Sequence, residues 1–491
     1  MQHLAIGKKS IVLVLVPLIL SAFIHLWNLT GFPDIFYDEG VYMYRTMHVL
    51  AGEGPQVGLF HDHPFFGQLF LAGILGSIGY PGSLHPLADV NSMQILYLVP
   101  RILMGLLAIL DTFLLYKICE KRYDSRVALF GSVLFAAMPI TWFLRRILLD
   151  SILLPFMLSS ILFALYAKNS SHKKTMVIIS GILFGIVLFT KESVFAIIPL
   201  IAYLIYENSK ARKMVGLWFI PAILIPMIWP IQSLMTNQFS KLIGDILFQV
   251  HKENHGFVSI TGIFFAFDPV LFTIGMAGIV YAAVRKDWMI LLWVVPFIIF
   301  LASVGYVQYF YWIPILPAFC IAASKWILDF INKRSAKKMP SLAAISAAGL
   351  YGLIISTILI TSNIYGQYEA AAYVLQNIHN TDIPNDKNNT TIVSSAAYSW
   401  IFKYVFHVND TLSDYRDLLF YPVYTNNILL VADYHFMHNI DAGKQLQDAY
   451  QNTTSVKKFQ GVVSNYDLKS YPFTNMAVNY EGRDIDIRVS K

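Results

Sequence analysis

The stretch Ile11–Leu26, IVLVLVPLILSAFIHL, followed closely by Phe36–Tyr42, FYDEGVY, decides how this chain is read. The first run is apolar throughout and preceded by Lys8 and Lys9; the second sets two adjacent carboxylates, Asp38 and Glu39, among aromatic residues. An apolar run of that length suits lipid, so the acidic pair lies just beyond a membrane boundary. A secretory signal peptide is the competing reading. No small-x-small cleavage site follows the run and further apolar runs do, so it is expected to be a retained first helix with a cytoplasmic N-terminus.

Composition agrees. Of 491 residues, 56% are hydrophobic and 13% charged, against about 25% charged in soluble domains. The net charge of +6 gathers in short loops, as the positive-inside rule produces, so it is no nucleic-acid signal. Two cysteines, Cys119 and Cys320, lie in or beside apolar runs and make no disulfide framework.

Working outward, further spans are expected near residues 96–116, 127–144, 151–167, 175–189, 194–206, 214–230, 268–284, 288–304, 310–328 and 341–360. The expected fold is an α-helical polytopic membrane protein of about eleven spans. The basic clusters Lys117–Arg126, Lys168–Lys174, Lys210–Lys213, Arg285–Lys286 and Lys333–Lys338 all fall on one side, which is then cytoplasmic. Residues 28–95 form a long first outer loop, and Phe65–Tyr80 within it is short for a span and reads as an interfacial or re-entrant helix. Residues 231–266 read as a second outer loop. The transmembrane domain is set at 1–363. Residues 364–491 read as a small extracytoplasmic α/β domain, with a helix over Tyr365–Ile378 and strands at Thr391–Ser395, Ile428–Val431 and Asp484–Val489. Its sequons at Asn388, Asn389, Asn409 and Asn452 suit that location.

Once the cytoplasmic loops are set aside, the remaining charges collect at outer helix ends: Asp38, Glu39, Arg45, Asp62 and Arg101; Arg145, Arg146 and Asp150; Lys191 and Glu192; Lys241, Asp245, Lys252 and Glu253. Charges at membrane depth are costly and point to function. Carboxylates beside several cations suit a substrate with an anionic head and a lipid tail. Asp38 reads either as a cap at the start of a short helix, Val41–Leu50, or as a base that takes a proton from an acceptor hydroxyl. His61 and His63 flank Asp62 and share a side in extended chain; with Asp38 they are metal candidates, or they hold donor phosphate and sugar. Arg146 and Asp150 are four apart and can pair on a helix, while Arg145, Arg146 and Lys191 also suit phosphate. Tyr309 and Tyr311, within an aromatic run, read first as an interface belt and second as sugar-stacking residues.

These residues carry a family likeness. A first span followed by Tyr37-Asp38-Glu39, a long outer loop and the His63-Pro64 helix entry resembles the GT-C superfamily of membrane glycosyltransferases. Arg146–Ser151 resembles protein O-mannosyltransferases, while Gly181–Lys191 and Tyr309–Pro317 resemble the aminoarabinose transferases. The likeness spans about residues 10–330 and makes this a glycosyltransferase family 39-like chain. It implies inverting transfer of a hexosyl or pentosyl group from a polyprenyl-phosphate donor to a protein or glycolipid hydroxyl on the outer face. By it Asp38 is the base, Glu39 assists, and Arg145 or Arg146 with Lys191 holds the donor phosphate. Arg101, Asp150, His61, Asp62, His63, Tyr309 and Tyr311 are added from the residues themselves as candidates for binding the donor phosphate or sugar. His63 stands where relatives often carry a basic residue, and Gln308 where an Arg-Tyr pair is common. Tyr398-Ser399-Trp400 is not the tryptophan-rich oligosaccharyltransferase signature, which weighs against transfer of a whole oligosaccharide.

The residues support a lipid-borne donor independently. Cytoplasmic loops of about ten residues leave no room for a nucleotide-sugar domain, and no Walker or dinucleotide motif is present. No cofactor is required by the sequence, although a divalent metal can be accommodated; membrane lipids are expected partners and nucleic acid is not. Two rival classes stand beside this: a transporter or flippase of lipid-linked sugars, which places polar groups at the midplane of repeated halves, and a non-catalytic receptor subunit.

Overall fold

α1 (Lys8–Leu26) ends at a loop that leads directly into α2 (Tyr37–Leu50), which bears Asp38 and Glu39. The computed structural model describes residues 8–55, 61–168, 170–251, 256–305, 307–334, 339–361, 363, 365–378, 390–420, 427–460 and 484–490. The helix carrying the acidic pair begins a turn earlier than its apolar pattern suggests, because Glu39 reaches back to the Phe36 N–H at 3.0 Å, the return half of a capping box. It stops before Gly52, whose φ of +77° suits glycine.

α3 (Phe66–Ser77) forms within the run expected to be an interfacial or re-entrant helix. α4 (Val90–Arg122), started by Asp89 accepting from Ser92 N, is long enough to cross a bilayer and continue beyond it. α5 (Ser125–Ala137) is broken by Pro139. Met138, preceding the proline, is extended, and the following 3₁₀ turn, Pro139–Arg145, leaves at 70°. α6 (Leu149–Tyr166) and α7 (Lys173–Thr190) pack side by side. A 3₁₀ turn at Glu192–Ile197 leads into α8 (Ile198–Ser209), and α9 (Arg212–Leu224) lies so close to α7 that Gly181 and Gly185 face the carbonyl oxygens of Trp218 and Pro221. Small residues allow such close approach between helices in lipid.

The second expected loop is helical. It contains α10 (Ile228–Met235), α11 (Phe239–His251) and α12 (Phe257–Phe267). α11 is amphipathic: Ile243, Leu247 and Phe248 are exposed while Leu242 is buried, a pattern suited to a membrane surface and unlike a structureless loop. The break at Asp268-Pro269 turns the chain through 115° into α13 (Pro269–Arg285). α14 (Trp288–Ser303), a 3₁₀ turn at Tyr309–Ile315, α15 (Leu316–Arg334) and α16 (Met339–Ile360) complete the helical part.

Among the described residues, five helices are long and apolar enough to span, or up to seven if each bent pair is one span, with four shorter apolar helices. The chain is an integral multi-pass membrane protein.

The C-terminal unit comprises α17 (Gly366–Asn377), β1 (Thr390–Val393), α18 (Ala396–Trp400), α19 (Asp417–Phe420), β2 (Asn427–Ala432), α20 (Tyr434–His438), α21 (Lys444–Gln451), β3 (Thr453–Phe459) and β4 (Ile485–Ser490). The expected helix and three expected strands form, and β3, whose TTSVKKF pattern is mostly solvent-facing, joins them. The sheet order is β1-β2-β4-β3, with β1 and β2 parallel and the other pairs antiparallel. Asn409 and Asn452 are exposed, whereas Asn388 and Asn389 lie outside the described residues. α17 packs between α4 and the β3–β4 edge, and α18 packs on α2. The carboxyl ends of the parallel strands therefore lead straight to the helix that bears Asp38.

Candidate active site

The charges that the sequence groups together separate into two sets. One is sealed. Glu39 accepts from Arg101 Nε at 3.0 Å and Nη2 at 2.7 Å, from Arg146 Nη1 at 3.2 Å, and from Ile147 N at 3.1 Å. Arg101 also donates to the carbonyls of Leu29, Pro33 and Asp34, each at 2.8 Å. Arg146 donates to Asp34 O at 2.9 Å and to Asp34 Oδ1 at 2.6 Å. Arg145 donates to Ile24 O at 3.1 Å and to Trp27 O, satisfying the end carbonyls of α1. These side chains are buried, and their work is to clamp the α1–α2 loop onto α4 and the entry to α6. Burial alone raises the Glu39 carboxyl, but Arg101 and Arg146 outweigh it and hold it below its ordinary value.

The second set surrounds Asp38. Unlike Glu39, Asp38 stays partly exposed, and among the described residues its carboxylate has no hydrogen-bond partner. Burial pushes its pKa above the ordinary carboxylate value; Asp62 adds to the rise, while His435, Lys191 and His63 pull against it. Lys191, at the C-terminal end of α7, donates to Asp150 Oδ2 at 2.7 Å and lies 3.8 Å from the centre of the Tyr311 ring, a cation–π contact. Arg45, two turns along α2, pairs with Asp62 at 2.7 Å. His63 pairs with Glu192 at 3.3 Å. Burial lowers the His63 pKa, but Glu192 outweighs it and the net direction is upward. A carboxylate able to take a proton thus stands near several cations already balanced by carboxylates.

Several expectations are corrected. Arg146 and Asp150 do not form an i,i+4 pair: Arg146 is extended and α6 begins only at Leu149, so the two residues share no helix. Asp150 pairs with Lys191 instead. His61 and His63 do not share a ligand: His61 contacts Asp245 at 3.1 Å and Gln238 at 3.0 Å, and His63 turns to Glu192. Among the described residues no three His, Cys, Asp or Glu side chains are grouped to hold a metal ion, so Asp38, His61 and His63 do not form one ligand set. Arg101, Arg145 and Arg146 are spent on the loop rather than presented beside Asp38. Tyr311 lies under Lys191, whereas Tyr309 packs 5.9 Å from the Phe36 ring and 5.0 Å from Phe143. The aromatic run faces protein at Phe310 and Trp312, which are buried, not a lipid belt.

What the sequence reading missed comes from the C-terminal unit. The Tyr37 hydroxyl donates to Asp414 Oδ2 at 2.7 Å. Its ring lies 4.8 Å from the His435 ring, and the Arg416 guanidinium lies 4.8 Å from its centre. No spacing rule links positions 37 and 435; the only local signal is Asp433, which caps α20 immediately after β2.

Residues 87–233 match the family model described as dolichyl-phosphate-mannose-protein mannosyltransferase. A search of the curated proteins gave no match. Among solved structures, the chain resembles the oligosaccharyltransferase AglB from Archaeoglobus fulgidus, solved with an inhibitory peptide and a dolichol-phosphate. The TM-score is 0.58 at 13% identity, over 94% of this chain and 75% of that one. It likewise resembles ArnT from Cupriavidus metallidurans bound to undecaprenyl phosphate, with TM-score 0.58 at 11% identity, over 99% of this chain and 98% of that one. At such identities the likeness concerns the fold alone: this chain is folded like these membrane glycosyltransferases.

Proposed function

We propose that this chain is an inverting glycosyltransferase moving a single sugar from a polyprenyl-phosphate donor to a hydroxyl acceptor on the non-cytoplasmic face. The observation that carries the reading is Asp38: partly exposed, raised in pKa, unbonded among the described residues, and set near Lys191. A base works best when its pKa approaches the working pH.

The acceptor oxygen gives its proton to the Asp38 carboxylate as it attacks the anomeric carbon. The bond from that carbon to the phosphate oxygen breaks, and its electron pair leaves with the phosphate. Lys191 and Arg45 attract the departing charge. A single displacement inverts the anomeric centre, so no covalent sugar–enzyme intermediate is needed. Glu39 serves as the anchor of the loop, not as a second base. The basic loops at Lys117–Arg126 and Lys210–Lys213 support placing the Asp38 end outside. That topology in turn requires an activated sugar delivered through the bilayer.

The test uses purified full-length protein in nanodiscs with labelled polyprenyl-phosphate sugars. Transfer of label to a hydroxyl acceptor, lost in Asp38→Asn while donor binding persists, supports the reading. Near-normal turnover in that variant overturns it.

A further inference from the structure

The two sides of α11 have different surroundings. Leu242 is buried and Ile246 partly so, packed with Phe65, Phe189 and Trp229. Phe239, Ile243, Leu247 and Val250 recur every three or four residues, so they share one stripe of the helix, and all four are exposed. A run of large apolar side chains left open in this way marks a contact surface. The chain itself indicates what covers it. Arg212–Met235, just before α11, is long and apolar enough to cross a bilayer and exposes large apolar residues as far as Leu234 and Met235. Only residues 236–238 separate that span from α11, and three residues reach at most about 10 Å. On the proposed topology the basic loop Lys210–Lys213 keeps the other end of the span in the cytoplasm, so α11 starts at the outer headgroup level. An apolar stripe on a helix at that level suits a lipid surface.

The other side of α11 reaches the candidate site. Asp245 accepts from the His61 N–H at 2.7 Å and stands 3.1 Å from His61 Nδ1, while the Gln238 side-chain oxygen stands 3.0 Å from Nε2. His61 is buried, and its backbone N–H and both ring nitrogens are committed to α11 and the residue before it. The next two residues reach elsewhere. Asp62 pairs with Arg45 on α2 at 2.7 Å, and His63 pairs at 3.3 Å with Glu192, the neighbour of Lys191. Three consecutive residues thereby tie α11 to the helix that bears Asp38 and to the turn after α7.

We propose that α11 is an interfacial anchor: its apolar stripe lies among the headgroups and upper acyl chains of outer-leaflet phospholipid, and its polar side holds the His61–His63 stretch against α2. The first half stands on the helix alone, whereas the consequence for catalysis rests on the glycosyltransferase reading. Asp245 is then a positioning residue, acting on the site through His61 and the Asp62–Arg45 pair that follows it.

The test uses full-length protein in phosphatidylcholine nanodiscs, with a bimane probe attached to Leu247→Cys. Cys119 and Cys320 are buried, and wild-type protein taken through the same labelling supplies the blank. Lipid carrying a nitroxide near the top of its acyl chain should quench the probe more than lipid carrying it near the chain end, and aqueous iodide should quench it little. Quenching by iodide alone, or stronger quenching from the deep nitroxide, overturns the anchor. A probe shielded from all three reports a protein partner on the stripe and overturns it as well. Asp245→Ala keeps the stripe and removes the carboxylate. Its kcat should fall by about 10²-fold, the cost of displacing catalytic groups by about 1 Å, with donor KM and the quenching pattern unchanged. Asp245→Glu should recover most of the loss. Unchanged kcat in Asp245→Ala, or no recovery in Asp245→Glu, overturns the positioning role. The expected quenching without sugar transfer by wild-type protein would count against the functional reading and leave the anchor standing.

Discussion

Gly40 and Ala396 meet backbone to backbone: a Cβ on Gly40 would stand 2.3 Å from the Ala396 carbonyl oxygen and 2.4 Å from its carbonyl carbon. Neither partner is the end of a flexible side chain, so Gly40→Ala must push α18 away from α2. Overpacking of this kind costs about 1–3 kcal/mol. Thermal unfolding should show the loss, and sugar transfer should fall more than stability does because Tyr37 and His435 part. Full transfer activity in Gly40→Ala would show that this contact is not needed.

Asp38→Asn should lower kcat by about 10²–10⁴-fold, the range for loss of a general base, while binding of undecaprenyl phosphate stays near normal. In wild-type protein, activity should fall as pH drops through the raised Asp38 pKa, so the acidic limb should lie above the ordinary carboxylate range. A pH–rate profile on the purified protein decides this.

Glu39→Ala should unfold more readily than Asp38→Asn, because it strands Arg101 and Arg146 in a buried site; breaking a buried ion pair on one side costs about 3–5 kcal/mol. The pH sign follows from a native pKa held below its unfolded value. The stabilisation is present above the unfolded Glu pKa and is lost as pH falls through the native one. Comparing thermal unfolding of wild type and Glu39→Gln across acidic pH should show the two curves converge.

Lys191→Gln should raise the donor KM by about 10–100-fold, as expected when a charged hydrogen bond of about 1.5–3 kcal/mol is lost. Asp150→Asn keeps the lysine but removes its counter-charge, so it should leave donor binding intact or strengthen it. Titration of both variants with undecaprenyl phosphate separates the two roles.

Much of the fold was legible because lipid imposes simple rules. Apolar length and basic loops marked most helices, and strand patterns marked three of the four strands. The helices α11 and α12 were less visible: the exposed apolar residues of α11 have the pattern of a membrane-surface helix, where helix and loop compositions overlap. In the candidate site, Asp38 and Lys191 stood out in the sequence as charges at helix ends away from the basic loops. Arg101, Arg145 and Arg146 looked the same in sequence, yet they serve backbone carbonyls of the loop after α1. A cation that neutralises a ligand and one that caps a helix carry the same letter. His435 was invisible because a contact between positions 37 and 435 depends on how sequence-distant parts of the chain pack together.

The bonds from Arg145 to the last carbonyls of α1, and from Arg101 to Leu29 and Pro33, have a consequence for geometry. They tie the start of α2, and with it Asp38, to the end of the apolar helix α1. On the proposed reading, with α1 seated in the bilayer, Asp38 would keep a fixed height above the end of that helix. Transfer would then be indifferent to the length of the polyprenyl tail but sensitive to bilayer thickness.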